Sequence, residues 1–159
     1  MKFFGALLIL MSGLCLGVQK SGELRKREES LLELKQLLQR FRSEIHYTLR
    51  PLGELISQNQ DFRLCSLAAQ ERCFSHSPKE ALEQAGKKLF LESSDAELCM
   101  GFVKGLGESD SQSQIEHLNL YTDLLERHLL QAGEAREKKS RLYICFGLFC
   151  ALTLCLLLL

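Results

Sequence analysis

The sequence predicts an all-α protein, and three observations predict it. Leu, Glu, Gln, Lys and Arg dominate the central part of the chain, and these residues lose little side-chain freedom in a helix. Strand formers are scarce: Val stands only at positions 18 and 103, Thr only at 48, 122 and 153, and no run alternates with period two. Apolar residues instead recur three and four apart over long stretches. The expected architecture is an antiparallel helical bundle with two long amphipathic helices and a short-helix head, flanked by N- and C-terminal transmembrane segments.

The flanking segments come from an uneven distribution of charge. Lys+Arg and Asp+Glu balance at 20 each, but almost all of them lie between residues 19 and 141. Residues 3–18 are apolar or small apart from Ser12, and residues 142–159 carry no charge. As helices these runs extend roughly 24 Å and roughly 27 Å, short but usable against a hydrocarbon core of ~30 Å. Three regions follow: an N-terminal transmembrane segment (3–18), a cytoplasmic helical domain (19–141) and a C-terminal transmembrane segment (142–159). Lys20, Arg25, Lys26 and Arg27 follow the first segment, and Lys138, Lys139 and Arg141 precede the second. Both clusters mark the same, cytoplasmic side by the positive-inside rule, and both suit contact with anionic lipid. A cleaved signal peptide, with Cys15-Leu16-Gly17 as its cleavage region, is the competing reading of the first segment; it would place the middle outside and contradict the second cluster. Gly13 and Gly17 form a small-xxx-small pair suited to close packing of helices in lipid. No external domain is expected, since the chain stops within its last apolar run at Leu159.

In the middle region, Leu31, Leu34, Leu38, Phe41, Ile45, Leu49, Leu52 and Ile56 mark one face of a long helix over about 23–57, with Leu32, Leu37 and Leu55 widening the stripe. Pro51 lacks an N–H and clashes with the preceding turn, so a kink or break is expected near 46–50. Residues 61–107 read as shorter helices. Ser77-Pro78-Lys79-Glu80 is a helix start with a Ser cap and Pro at the first position, and Ser94 with Glu97 is another. Gly105-Leu106-Gly107 is expected to end the preceding helix, and Ser109, Asp110 or Ser111 to cap the next one. The head core is expected from Phe62, Leu64, Leu67, Phe74, Leu82, Leu89, Phe90, Leu98, Phe102 and Leu106. The second long helix starts near Ser111 and runs into the last apolar segment, with Ile115, Leu118, Thr122, Leu125, Leu129 and Ala132 on its inner face and Tyr121 and Leu124 beside them. Asp123–Arg127 and Glu134–Lys138 are favourable pairs on its wet side. Two such helices, each tied to the membrane at one end, run antiparallel as a stalk.

Signals for chemistry are weak. The 7 cysteines contain no C-x-x-C pair, so metal and disulfide roles give way to packed or lipid-facing thiols. The 4 histidines lack metal-ligand spacing and are read as solvated or partly packed. Glu44, His46 and Tyr47 are read as a solvated helix face rather than an acid–base group, and Gly101-x-x-x-Gly105 lacks the lysine and strand of a phosphate loop. No cofactor is expected, and the balanced charge argues against nucleic acid.

The stretch Gly105-Leu106-Gly107-Glu108-Ser109-Asp110, followed by Gln114, Leu118 and Leu120, resembles the stage III sporulation protein AB family. Glu44-Ile45-x-Tyr47 leading to Pro51-Leu52 resembles that family's other recurrent stretch, departing from it at Arg50, where a Thr is commoner. The resemblance extends to the layout of the whole chain. It implies a non-catalytic platform in the mother cell–forespore channel, a secretion-like complex needed for endospore formation. By the same resemblance the soluble part is similar to the cytoplasmic helical domain of type II secretion and type IV pilus platform proteins. The implied partners are other membrane proteins of the sporulation channel and a cytoplasmic secretion-type ATPase, and the implied location is the mother cell membrane facing the forespore. Gly105, Gly107, Ser109, Asp110 and Gln114 are the candidate partner-binding residues. The competing function is a membrane-tethered regulatory adaptor for a soluble cytoplasmic partner.

Overall fold

The computed structural model describes residues 2–48, 50–107 and 111–158, with side chains described mainly from 21 to 138. Among the described residues all regular structure is helical: α1 (Lys2–Thr48), α2 (Leu52–Gln58), α3 (Arg63–Ala69), α4 (Pro78–Leu89), α5 (Ser93–Lys104) and α6 (Ser111–Leu158). The chain divides into two compact units, one of Met1–Glu28 with Leu130–Leu159 and one of Glu29–Leu129.

In the first unit, Arg136 Nη1 donates to Glu28 Oε2 at 2.9 Å and so ties α6 to α1. The expected Glu134–Lys138 pair forms at 3.3 Å. Among the described residues no helix is long and apolar enough to cross a membrane. Most side chains of 3–18 and 142–159, the two expected spans, lie outside the described residues, Gly13 and Gly17 among them.

The second unit holds the core. Leu31, Leu34, Leu37, Leu38, Phe41 and Ile45 of α1 are buried, each contributing about 1.5–3 kcal/mol relative to an exposed position. Leu32 corrects the expected stripe, being 50% exposed. At about 100° per residue it lies about 145° from the stripe's centre, whereas Leu37 lies only about 75° away. α1 and α6 run antiparallel here. Lys35 Nζ reaches Glu126 Oε1 at 2.7 Å, and further along α1 His46 lines a groove with Gln112, much earlier in α6.

The break falls where Pro51 requires it. α1 ends at Thr48, Arg50 is not helical, and Pro51 (φ −63°, ψ 147°) accepts from the backbone N–H of Glu54 and Leu55 to start α2. Asn59 closes α2: its buried side-chain Nδ2 donates to Leu55 O at 2.8 Å and to Glu44 Oε1 of α1 at 3.1 Å. Glu33 of α1 accepts from both the backbone N–H and Nε of Arg63, which satisfies a donor at the start of α3.

Of the expected head core, Leu64, Leu82, Phe90, Phe102 and Leu106 are buried, while Phe62, Leu67, Phe74, Leu89 and Leu98 are half-buried. Small residues fill the contacts between the short helices instead: Cys65 and Ala68 of α3, Ala81 and Ala85 of α4 and Cys99 of α5 are all 0% exposed. Gly86 belongs to this layer, since a Cβ there would come within 2.8 Å of Cys99 Sγ. Phe41 and Phe102 join α1 to α5 with ring centroids 6.3 Å apart.

One helix start matches the expectation and another does not. Ser77 caps α4, its side chain accepting from the Glu80 N–H, with Pro78 in the first position. α5 starts earlier than expected, with Glu92 rather than Ser94 at the cap and no side-chain capping bond. Its first turn is joined to α6 by a tertiary contact, in which Asp95 meets His128. The turn after α5 also differs in detail. Gly105 keeps a right-handed conformation (φ −81°), and Gly107 (φ 75°) is the left-handed residue. Ser109 and Asp110 lie outside the described residues, and α6 begins at Ser111.

Candidate partner-binding site

Three sequence features meet at one corner of the Glu29–Leu129 unit: the Pro51 break, the Ser77-Pro78 start of α4 and the turn after α5. Together they line a groove of about 580 Å³. Leu52, Pro51 and Ile45 come from the break, Pro78 from α4, Leu106 and Gly107 from the turn, and Gln114 from the first turns of α6. Arg50, Lys79 and His76 supply its polar edge. The local sequence explains the convergence. Pro51 turns the chain, Pro78 occupies the first position of α4, and Gly107 adopts the left-handed conformation in the turn after α5.

A second groove, of about 490 Å³, adjoins the same helix ends and is lined by Gln39, Arg42, Ser43, His46, Tyr47, Gln112 and Ile115. Tyr47 is 81% exposed and meets the His46 ring edge-on at 4.9 Å. Glu44 lies on another face of α1, held by Asn59 and by Arg40 at 3.6 Å. Glu44, His46 and Tyr47 therefore do not converge on one acid–base site.

The candidate residues divide. Gly107 and Gln114 share the first groove. Gly105 instead belongs to the contact of α5 with α6, where a Cβ would overlap the His117 imidazole. Gly101, one turn earlier, faces Tyr121, and a Cβ there would sit 2.9 Å from the ring's Cε1. Gly101-x-x-x-Gly105 is thus a seam for close helix approach.

That seam carries polar contacts that sequence reasoning missed. His117 Nε2 donates to Phe102 O at 2.9 Å across it, and beside it Lys79 Nζ of α4 donates to Lys104 O at 2.6 Å. Both carbonyls stand in the last turn of α5, where intrahelical donors run out. At the other end of the seam, His128 Nδ1 donates to Asp95 Oδ1 at 2.7 Å, and Asp95 is 1% exposed. The available signal was helix-pair spacing: Gly101 and Gly105 stand four apart on one helix, as His117 and Tyr121 do on the other.

The buried thiols are chemically quiet. Burial, reinforced by the charges of Glu44 and Glu33, pushes the Cys65 thiol up to about 12, and burial alone pushes Cys99 to about 12. Thiols held so far above neutrality are not nucleophiles. Among the described residues no three His, Cys, Asp or Glu side chains are grouped to hold a metal ion.

The model of the family described as stage III sporulation protein AB matches residues 2–159. The chain is similar to stage III sporulation protein AB of Bacillus subtilis (strain 168), with 27% identity over 169 residues and 99% of each chain covered. A solved structure of a stage III sporulation protein AB superposes with a TM-score of 0.61 at 27% identity, over 71% of this chain and 98% of the other.

Proposed function

The chain belongs to the stage III sporulation protein AB family, and from that premise we propose that it is a non-catalytic membrane platform for a secretion-like complex between mother cell and forespore. The observation that carries this reading is the extent of the family match, from residue 2 to 159. It takes in both apolar ends and the helical middle together. In this reading residues 3–18 and 142–159 anchor the chain in the mother cell membrane, supported by their hydropathy and by the Lys/Arg clusters beside each. The helical middle faces the cytoplasm and receives partners at the Pro51 corner. Those partners are other membrane proteins of the complex and a cytoplasmic secretion-type ATPase.

Deletion in an endospore-forming host should abolish heat-resistant spores. The protein should resist alkaline extraction from membranes and co-purify, in mild detergent, with other membrane proteins of sporulating cells. Normal spore formation, or release of the chain by alkali, would sink the reading. Co-purification with a soluble protein alone would replace it with a tethered regulatory adaptor.

A further inference from the structure

The two grooves beside the Pro51 corner have linings of one sign. Arg50 and Lys79 line one and Arg42 lines the other, with His76 and His46 beside them, and neither lining contains an Asp or Glu. The whole chain is balanced, with 20 acidic and 20 basic residues, so this cationic surplus is local. Four of the carboxylates elsewhere in the same unit are held by basic side chains: Glu33 by Arg63, Glu71 by Lys88, Glu126 by Lys35 and Asp95 by His128. The floor of the larger groove is apolar, from Ile45, Pro51, Leu52, Leu55, Pro78 and Leu106. The first turns of α6 separate the grooves, with Gln112 and Ile115 on one side and Gln114 on the other. Tyr47, at 81% exposure, and Arg42 are of the residue types that dominate protein–protein contacts.

We propose that this corner docks an acidic amphipathic segment of a protein partner, with apolar side chains in the Leu52–Leu106 groove and carboxylates against Arg50 and Arg42. The proposal deepens the platform reading above and rests on it. A peptide fits better than an anionic lipid surface because the cations border concave grooves, the larger of them with an apolar floor, rather than a flat face. Opposite charge across the rim gives a fast, salt-dependent encounter, and the apolar floor sets register. Glu108 and Asp110, which follow Gly107, lie outside the described residues.

The test uses the full chain in detergent micelles. Two labelled helical peptides are titrated by anisotropy, identical in their Leu positions but carrying Glu in one and Lys in the other. The Glu peptide should bind at least tenfold more tightly than the Lys peptide and weaken as salt rises. Arg42→Glu with Arg50→Glu should weaken it at least tenfold with an unchanged Tm, while Arg42→Lys with Arg50→Lys retains most of the affinity. Equal binding of the two peptides, no binding of either, or indifference to charge reversal overturns the proposal. So does binding to phosphatidylglycerol vesicles that falls with the same reversal while the Glu peptide does not compete. In sporulating cells the two readings separate: if the deletion blocks sporulation but the charge-reversed protein restores it fully, the platform stands and the acidic docking segment falls.

Discussion

The Nδ1 of His128 lies 2.7 Å from Oδ1 of Asp95, joining the start of α5 to α6 through a carboxylate that is 1% exposed. A carboxylate so far from water is stable only while its hydrogen bonds are made. His128→Ala should therefore lower stability by about 2 kcal/mol, within the ~1–3 kcal/mol range for a buried polar group losing a partner. Asp95→Ala should also destabilise, and the double variant by less than the sum of the two. Chemical denaturation of the four proteins checks this; strict additivity would show that the contact contributes nothing.

The glycines of the α5–α6 seam should respond in opposite sense to a helical glycine in open space. Gly101→Ala and Gly105→Ala force the Tyr121 and His117 rings to move and should destabilise by about 1–3 kcal/mol each. Gly22, in α1, has open space where a Cβ would stand, with nothing within 4 Å, and Gly22→Ala should stabilise by about 0.5–1 kcal/mol. Thermal melts of the three variants, with Tyr121→Ala added to Gly101→Ala as a rescue, decide whether the seam is tight.

Ser77→Ala removes the side-chain acceptor of the Glu80 N–H and should cost about 1 kcal/mol. Ser77→Asp, which keeps an acceptor at the cap, should recover most of it. Because Ser77 also lines the Pro51 groove, peptide binding measured on the same variants separates a folding effect from a docking effect.

The two buried thiols make stability fall in alkali. Their folded values, about 12, lie above the ordinary thiol value of 9.0, so between those limits the unfolded chain releases protons that the folded chain keeps. The stability is fully present below pH 9 and declines as pH rises towards 12. Each thiol contributes a slope of at most about 1.4 kcal/mol per pH unit. Cys65→Ala with Cys99→Ala should flatten the slope measured by urea unfolding at successive pH values. An unchanged slope would mean that other groups carry it.

Much of the helical plan was legible because its signals are local. Pro51 acts on the turn before it, Ser77 on the N–H three residues later, and the three-four spacing of Leu31, Leu34, Leu38 and Phe41 on a single face. The start of α5 was not legible, for the converse reason. Ser94 and Glu97 have the spacing of a local cap, but α5 starts at Ser93 with no side-chain cap, and its first turn is instead tied to α6 by a contact across 33 residues, from Asp95 to His128.

The sequence alone determined the helical class, the break at Pro51, the cap at Ser77 and which faces turn inward. Each of these depends on interactions reaching no further than about one helical turn. Only the tertiary structure decided what those faces meet. It brought Gly101 and Gly105 against Tyr121 and His117, and it gathered Leu52, Pro78, Leu106 and Gln114 around one groove. Periodicity reports that a side chain is buried, whereas its partner depends on how short helices stack, and that is set by shape and volume summed over the whole core.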